Sequence, residues 1–302
     1  MIEETSDSRR SLPATVPKPL DIVIKTRRKD LVTYLQLQAD LVTHCRLGGK
    51  VYVIVPDEDV SLFRGVIQKH FIVASSEQVI ALAGYSGEFP DTWSTQQVIK
   101  ILAIHLVAHE QYLILDSNTL ICFDFDEKFF QRSTDYVYAL GEFHDAAWEL
   151  QTRNFLKLHQ AGRIYGFRAV NQIFIKENVK RLIDYVEALY KGNVVRILLD
   201  YSDEFCTEYW AEYALYGVFI RCILDGSGHY FERRQDVLHF SFKKDFSEFL
   251  AEIEQERPLM IKLHKRRPSY ELTAAEYAKC VAEIKAVYRV PQDSVRRDAD
   301  GY

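Results

Sequence analysis

The stretch Trp93 to Asp126, WSTQQVIKILAIHLVAHEQYLILDSNTLICFDFD, decides the reading of the chain. Its first half repeats apolar residues at helical spacing through Val98, Ile101, Leu102 and the His105/Leu106 pair, which predicts an amphipathic helix. Its second half is a short apolar run, Tyr112-Leu113-Ile114-Leu115, that stops at Asp116-Ser117-Asn118. A strand apolar on both faces belongs to a parallel sheet, and polar oxygens at its carboxyl end lie where open α/β sheets bind ligands.

Working outward, the same grammar recurs. Leu20-Asp21-Ile22-Val23-Ile24 is a strand-length run containing an acid, followed by a helical pattern over Asp30 to Cys45 that closes at Gly48-Gly49, and then by the strand Val51 to Val55. Strand, helix, strand at this spacing predicts a right-handed βαβ unit and a parallel sheet. Pro56-Asp57-Glu58-Asp59 offers an N-cap acid to a second helix over Val60 to His70, which feeds the short runs Phe71-Ile72-Val73 and Gln78-Val79-Ile80. A loop with Gly84, Gly87 and Pro90 then delivers the chain to Trp93. Beyond Asp126 the pattern gives strands at Tyr136 to Leu140, Gln172 to Ile175 and Leu259 to Leu263, and helices at His144 to His159, Glu177 to Tyr190, Thr207 to Leu224 and Thr273 to Tyr288. The expected class is α/β, a mixed, mostly parallel sheet flanked by helices.

With 302 residues, 48% of them hydrophobic, the chain buries a substantial core. A net charge of −5 leaves no nucleic-acid footprint, and the basic runs Lys25 to Lys29 and Lys262 to Arg267 read first as solvated faces. Five scattered cysteines lack zinc or disulfide spacing, and the sequence shows neither a ~20-residue apolar span nor a signal peptide, so a cytoplasmic protein able to meet a membrane surface is expected. Neither a Gly-rich phosphate loop nor a GxSxG elbow occurs, which argues against dinucleotide oxidoreductases, P-loop kinases and serine hydrolases.

Trp93, Gln96-Gln97, Lys100 and YLILDSNT together resemble the core of GT-A-fold glycosyltransferases, in which a W..QQ..K helix precedes a YLxLDSDT strand, and are similar to a bacterial glycosyltransferase-like family with that pattern. The resemblance covers roughly residues 20 to 265. It implies a GT-A-like (Rossmann-like) domain over 20–268, with a nucleotide-binding half at about 20–126 and an acceptor half at about 127–268. Outside it are a disordered segment 1–19, a C-terminal helix 269–290 and a disordered tail 291–302. The implied activity is sugar transfer, in polysaccharide biosynthesis, from a nucleotide-sugar donor to a glycan or lipid-linked acceptor, assisted by Mn²⁺ or Mg²⁺. A non-catalytic nucleotide- or glycan-binding protein on the same scaffold is the rival, and a nucleotidyltransferase a distant third.

The resemblance assigns residues as follows. Asp116 and Asn118 stand where a metal-holding Asp-x-Asp is usual, although Asn118 replaces the second acid, and His264 would complete the metal shell. Hard cations take oxygen ligands, so a carboxylate, an amide oxygen and phosphate oxygens suffice; the same residues also favour an ordinary turn. Trp93, Gln97, Lys100, Asp116 and Lys265 would bind the donor, with Lys100 on the same helix face as Trp93. Glu212, in Glu-Tyr-Ala-Leu-Tyr-Gly where the family has Ser-Glu-Tyr-x-x-Tyr-Gly, would be the general base. On spacing alone Lys100 and Glu212 can also be read as solvated helix residues, and His264, followed by basic residues, reads more readily as surface charge. Val170-Asn171-Gln172 departs from the family's histidines. Asp124 and Asp126 read as a surface pair, and His105 with His109 as one core histidine and its helical neighbour rather than a metal pair.

Overall fold

The computed structural model describes residues 19–89, 92–140, 146–158, 171–204, 211–233, 237–240, 246–263 and 272–289. The disorder expected for 1–19 and 291–302 therefore lies, apart from Pro19, outside the described residues. The first part alternates as β1 (Leu20–Lys25), α1 (Leu31–His44), β2 (Val51–Val55), α2 (Val60–Arg64), β3 (Phe71–Ser75), α3 (Ser76–Leu82), α4 (Trp93–Leu102) and β4 (Gln111–Asp116). After it come β5 (Thr119–Ile121), β6 (Gln131–Arg132), β7 (Asp135–Leu140), α5 (Ala146–Phe155), β8 (Ile173–Ile175), α6 (Lys176–Tyr190), α7 (Val194–Glu204), α8 (Glu212–Ile223), β9 (His229–Arg233), β10 (Val237–Phe240), α9 (Phe246–Glu256), β11 (Met260–Leu263) and α10 (Ala274–Arg289).

The central sheet runs β3-β2-β1-β4-β8, parallel except for β8. This is the mixed α/β class and the mostly parallel sheet expected from the sequence. Apolar residues of β1, β2 and β4 are buried on both faces because helices cover both: one core packs beneath α1 and α2, the other beneath α3, α4, α6, α7 and α8. The strand order reverses after β3, where the chain crosses to the other side of β1. The carboxyl ends of β1 and β4, with Lys25 opposite Asp116, thus flank the topological switch point, the usual ligand crevice of such sheets.

A second sheet, β10-β11-β5, carries β11 to the end of β4. Leu263 N–H donates to Asn118 O at 3.0 Å, and Asn118 Nδ2 donates to Leu263 O at 2.9 Å. A third sheet, β6-β7-β9, meets α8 through Tyr138 of β7, whose hydroxyl donates to Tyr213 O. α10 packs on α9 and β11 through Tyr277, Val281 and Ile284, and Lys285 pairs with the buried Asp40. Among the described residues no helix is long and apolar enough to cross a membrane.

Three local expectations change. Gln78-Val79-Ile80 is helical, because the Ser75 side chain accepts from Gln78 N–H at 3.0 Å and caps α3. The helix expected over Val60 to His70 stops at Arg64 and is not capped by an acid; Asp59 instead accepts from Arg28 N–H at 2.7 Å. His105 is exposed rather than core: α4 ends at Leu102 and tightens into a 3₁₀ turn that rotates His105 outward and removes it from any helical pairing with His109. The helix expected over Thr207 to Leu224 is described as α8 from Glu212, and 207–210 lie outside the described residues.

The acid inside β1 has a structural explanation. Asp21 is fully buried and accepts from Lys50 N–H, Ala108 N–H and His109 N–H at 2.8 to 2.9 Å, with His109 Nδ1 at 2.8 Å, so it ties the amino-terminal ends of β1 and β4 together. Removing an acceptor from buried donors costs about 1–3 kcal/mol for each donor left unmade. Asp21→Ala is therefore expected to lower unfolding free energy by about 3 kcal/mol or more in urea titration, and Asp21→Asn by less. A loss in Asp21→Ala no larger than that of an exposed substitution would contradict this role.

Candidate functional site

Four charged side chains from four separate elements meet at the carboxyl end of β4. Asp116 is the last residue of that strand, and Lys100 lies on the buried face of α4, whose start is fixed by a Thr92–Thr95 capping box. Lys100 Nζ is 2.6 Å from Asp116 Oδ1 and 2.7 Å from Glu212 Oε1. The other oxygen of Asp116, Oδ2, accepts from Lys262 Nζ on β11. Glu212 and Lys100 are deep, with 1% and 6% side-chain exposure, whereas Asp116 and Lys262 at 17% each open toward solvent.

Aromatic side chains hold Glu212 in place. Tyr216 Oη accepts from Ile175 N–H at 2.8 Å, its ring stacks on Phe174 with centroids 4.0 Å apart, and Tyr138 Oη donates to Tyr213 O at 2.6 Å. These contacts pin the first turn of α8 against β7 and β8. Tyr213 turns its ring toward Lys100, with Nζ 5.3 Å from the centroid, close enough for a cation–π attraction. The tyrosines on this helix thus serve packing and also orientation of one carboxylate.

The electrostatics separate the two acids. Burial alone would raise the Asp116 carboxyl, but Lys100 and Lys262 overrule it and hold it well below the usual carboxylate range. For Glu212, burial together with the nearby Asp116 charge outweighs Lys100, and its carboxyl is raised. Burial would lower Lys100, yet the two carboxylates more than reverse that and keep it charged. Glu212 Oε2 is buried and has no hydrogen-bond partner among the described residues. Such an arrangement can offer cations to an anion at Asp116 and a proton acceptor beside it.

The donor set does not fit the metal that the Asp-x-Asp resemblance implies. Both oxygens of Asp116 are engaged by ammonium groups, and the Asn118 amide is spent in part on the β11 backbone. Mg²⁺ bound at about 2.1 Å from Asp116 would sit within roughly 5 Å of two positive nitrogens. Each repulsion is on the order of several kcal/mol at an effective dielectric constant of about 20. Among the described residues no group of three or more His, Cys, Asp and Glu could hold a metal ion.

The other described residues singled out in the sequence lie outside this ion network. His264 and Lys265 lie outside the described residues. Trp93 is 42% exposed, its ring 6.2 Å from that of Trp148, and Gln97 is buried with its amide donating to Trp93 O at 3.2 Å. Asp124 is exposed and accepts from Arg46, with His44 Nδ1 at 2.8 Å, while Asp126 caps the turn at Lys128. Asn171, in the left-handed region at φ 73°, has both amide atoms buried without a hydrogen-bond partner among the described residues. The Tyr213 hydroxyl lies beside its backbone. Lys262 escaped sequence reading as a site residue; its only signal was a lysine within an otherwise apolar strand.

Removing one member of a buried ion network leaves an uncompensated charge and typically costs about 3–5 kcal/mol. Lys100→Met is expected to lose stability on that scale in denaturant titration, and adding Glu212→Gln should recover at least about 1 kcal/mol of it. An effect of Lys100→Met within the ±0.5 kcal/mol or so of a surface substitution would mean that Lys100 is merely an exposed helix lysine.

Solved structures similar to the chain include two of the galactosyltransferase LgtC, one in complex with donor and acceptor sugar analogs and one of an active-site mutant. Each is 10% identical and covers 90% of this chain and 98% of that chain, with TM-scores of 0.48 and 0.49. A likeness at that level carries no residue correspondence. No curated protein matches the chain. The profile of a family of unknown function, DUF6492, matches residues 35–246, more than half of the chain, and the chain belongs to that family.

Proposed function

We propose that this protein is a glycosyltransferase that moves a sugar from a nucleotide-sugar donor to the hydroxyl of a glycan or lipid-linked acceptor, on a GT-A-like scaffold. The observation that carries the reading is Glu212: a fully buried carboxylate with a raised pKa, one oxygen held by Lys100 and the other without a partner among the described residues. The sequence resemblance around Trp93 to Asp116 and the position of the cluster at the sheet's switch point support it. In this reading the acceptor oxygen attacks the anomeric carbon, the bond from that carbon to the diphosphate oxygen breaks, and the acceptor proton passes to Glu212 Oε2. The departing diphosphate takes the bonding electrons and faces the Lys100 ammonium. Trp93 gives the donor a flat apolar surface at the start of α4, and Gln97 fixes the turn beneath it. The described residues at Asp116 do not suit Mn²⁺ or Mg²⁺.

The test is release of free nucleotide from a panel of nucleotide-sugars, with and without acceptor glycans. Glu212→Gln is expected to bind donor normally and to lose transfer by about 10²-fold or more, the span for removing a general base. A protonated Glu212 cannot accept a proton, so transfer falls as pH drops through the raised pKa of Glu212, and the acidic limb of kcat/KM lies above the ordinary glutamate range. Near-normal transfer by Glu212→Gln would end the assignment, and donor binding with no sugar transfer to any acceptor would favour a non-catalytic binding protein.

A further inference from the structure

We infer that Lys100 and Lys262 take the place of the divalent ion and hold the donor diphosphate directly, so that nucleotide binding at this site is independent of metal. The inference rests on the donor-binding reading above and adds the means of recognition. Its starting point is that two ammonium groups from unrelated parts of the chain, α4 and β11, converge on the two oxygens of one carboxylate.

An ammonium has three N–H donors. Lys100 directs two at Asp116 and Glu212, and Lys262 directs one at Asp116, which leaves donors on both for phosphate oxygens. Lysine binds phosphate as a compact point charge, so it needs no fixed planar geometry from the ligand. Lys262 is the more accessible of the two and can meet an incoming anion, whereas the deeper Lys100 meets the oxygen of the bond that breaks. Asp116 in this scheme is a positioning residue: it holds two like charges together while the site is empty, which they would otherwise resist. The backbone pairing of Leu263 with Asn118 fixes Lys262 beside the strand end, giving Asn118 a role that does not require an acidic side chain.

The experiment is calorimetric titration of the full chain with UDP, GDP and ADP, each in EDTA and in Mg²⁺ or Mn²⁺. At least one nucleotide is expected to bind in EDTA with a Kd within about threefold of its value in metal. Lys262→Ala should weaken that binding by about tenfold or more, and Lys262→Arg should largely restore it. Melting temperatures of both variants establish that they are folded, and Lys262→Met supplies a second neutral variant that keeps the apolar stem. Binding that needs metal, at least about tenfold weaker in EDTA, would overturn the inference while leaving the donor-binding reading intact. Unchanged affinity in folded Lys262→Ala and Lys262→Met would likewise overturn it. Failure of all three nucleotides to bind under either condition would overturn the donor-binding reading together with the inference.

Discussion

A buried lysine ammonium is stable only where carboxylates compensate it, and the arrangement around Lys100 satisfies that constraint by drawing four elements together. α4 supplies the cation, β4 and α8 supply Asp116 and Glu212, and β11 completes the cluster with Lys262. Buried ion pairs contribute little net stability relative to apolar packing of the same volume. The folding advantage is therefore small, while the local order is high: each charge has an acceptor or donor at a defined distance. That economy suits a site that must stay organised before its ligand arrives.

The architecture explains why the cluster forms at this position. Parallel strands end at one edge, and the crossover from β3 to β4 opens a crevice between the ends of β1 and β4. A second sheet then leans on that edge, so β11 delivers a lysine that the central sheet could not. At the opposite edge, Asp21 of β1 satisfies backbone donors of the segments leading into β2 and β4. One acid of the central sheet is thus structural and another faces the site, although both occupy apolar strands.

The sequence made the first half of this legible. Periodicity located α4, the unbroken apolar run located β4, and the βαβ spacing predicted parallel pairing, because each of those signals is local. Lys262 was hidden because its partner is 146 residues away in the chain, and pairing between β11 and β5 leaves no mark in either segment alone. A lysine between Ile261 and Leu263, both buried, was the available clue, of the same kind as the acid in β1. His105 misled for the reverse reason: its spacing suited a longer helix, but the chain tightened after Leu102. Ser75 shows that a cap can outweigh a strand-like apolar triplet, since one side-chain acceptor three residues upstream turned Gln78-Val79-Ile80 into a helix.

The metal expected at Asp116 rested on a motif, and the motif describes residue types, not what surrounds them. Here the surroundings are cations, and they change what the same aspartate can do. The most direct test of the account is a crystal structure of the protein grown with UDP and Mn²⁺, with diffraction collected at a wavelength where manganese scatters anomalously. The diphosphate is expected within hydrogen-bonding distance of the Lys100 and Lys262 ammonium groups, with no anomalous peak at Asp116. A manganese peak bridging Asp116 and the diphosphate, or a nucleotide bound away from the β4 end, would contradict it.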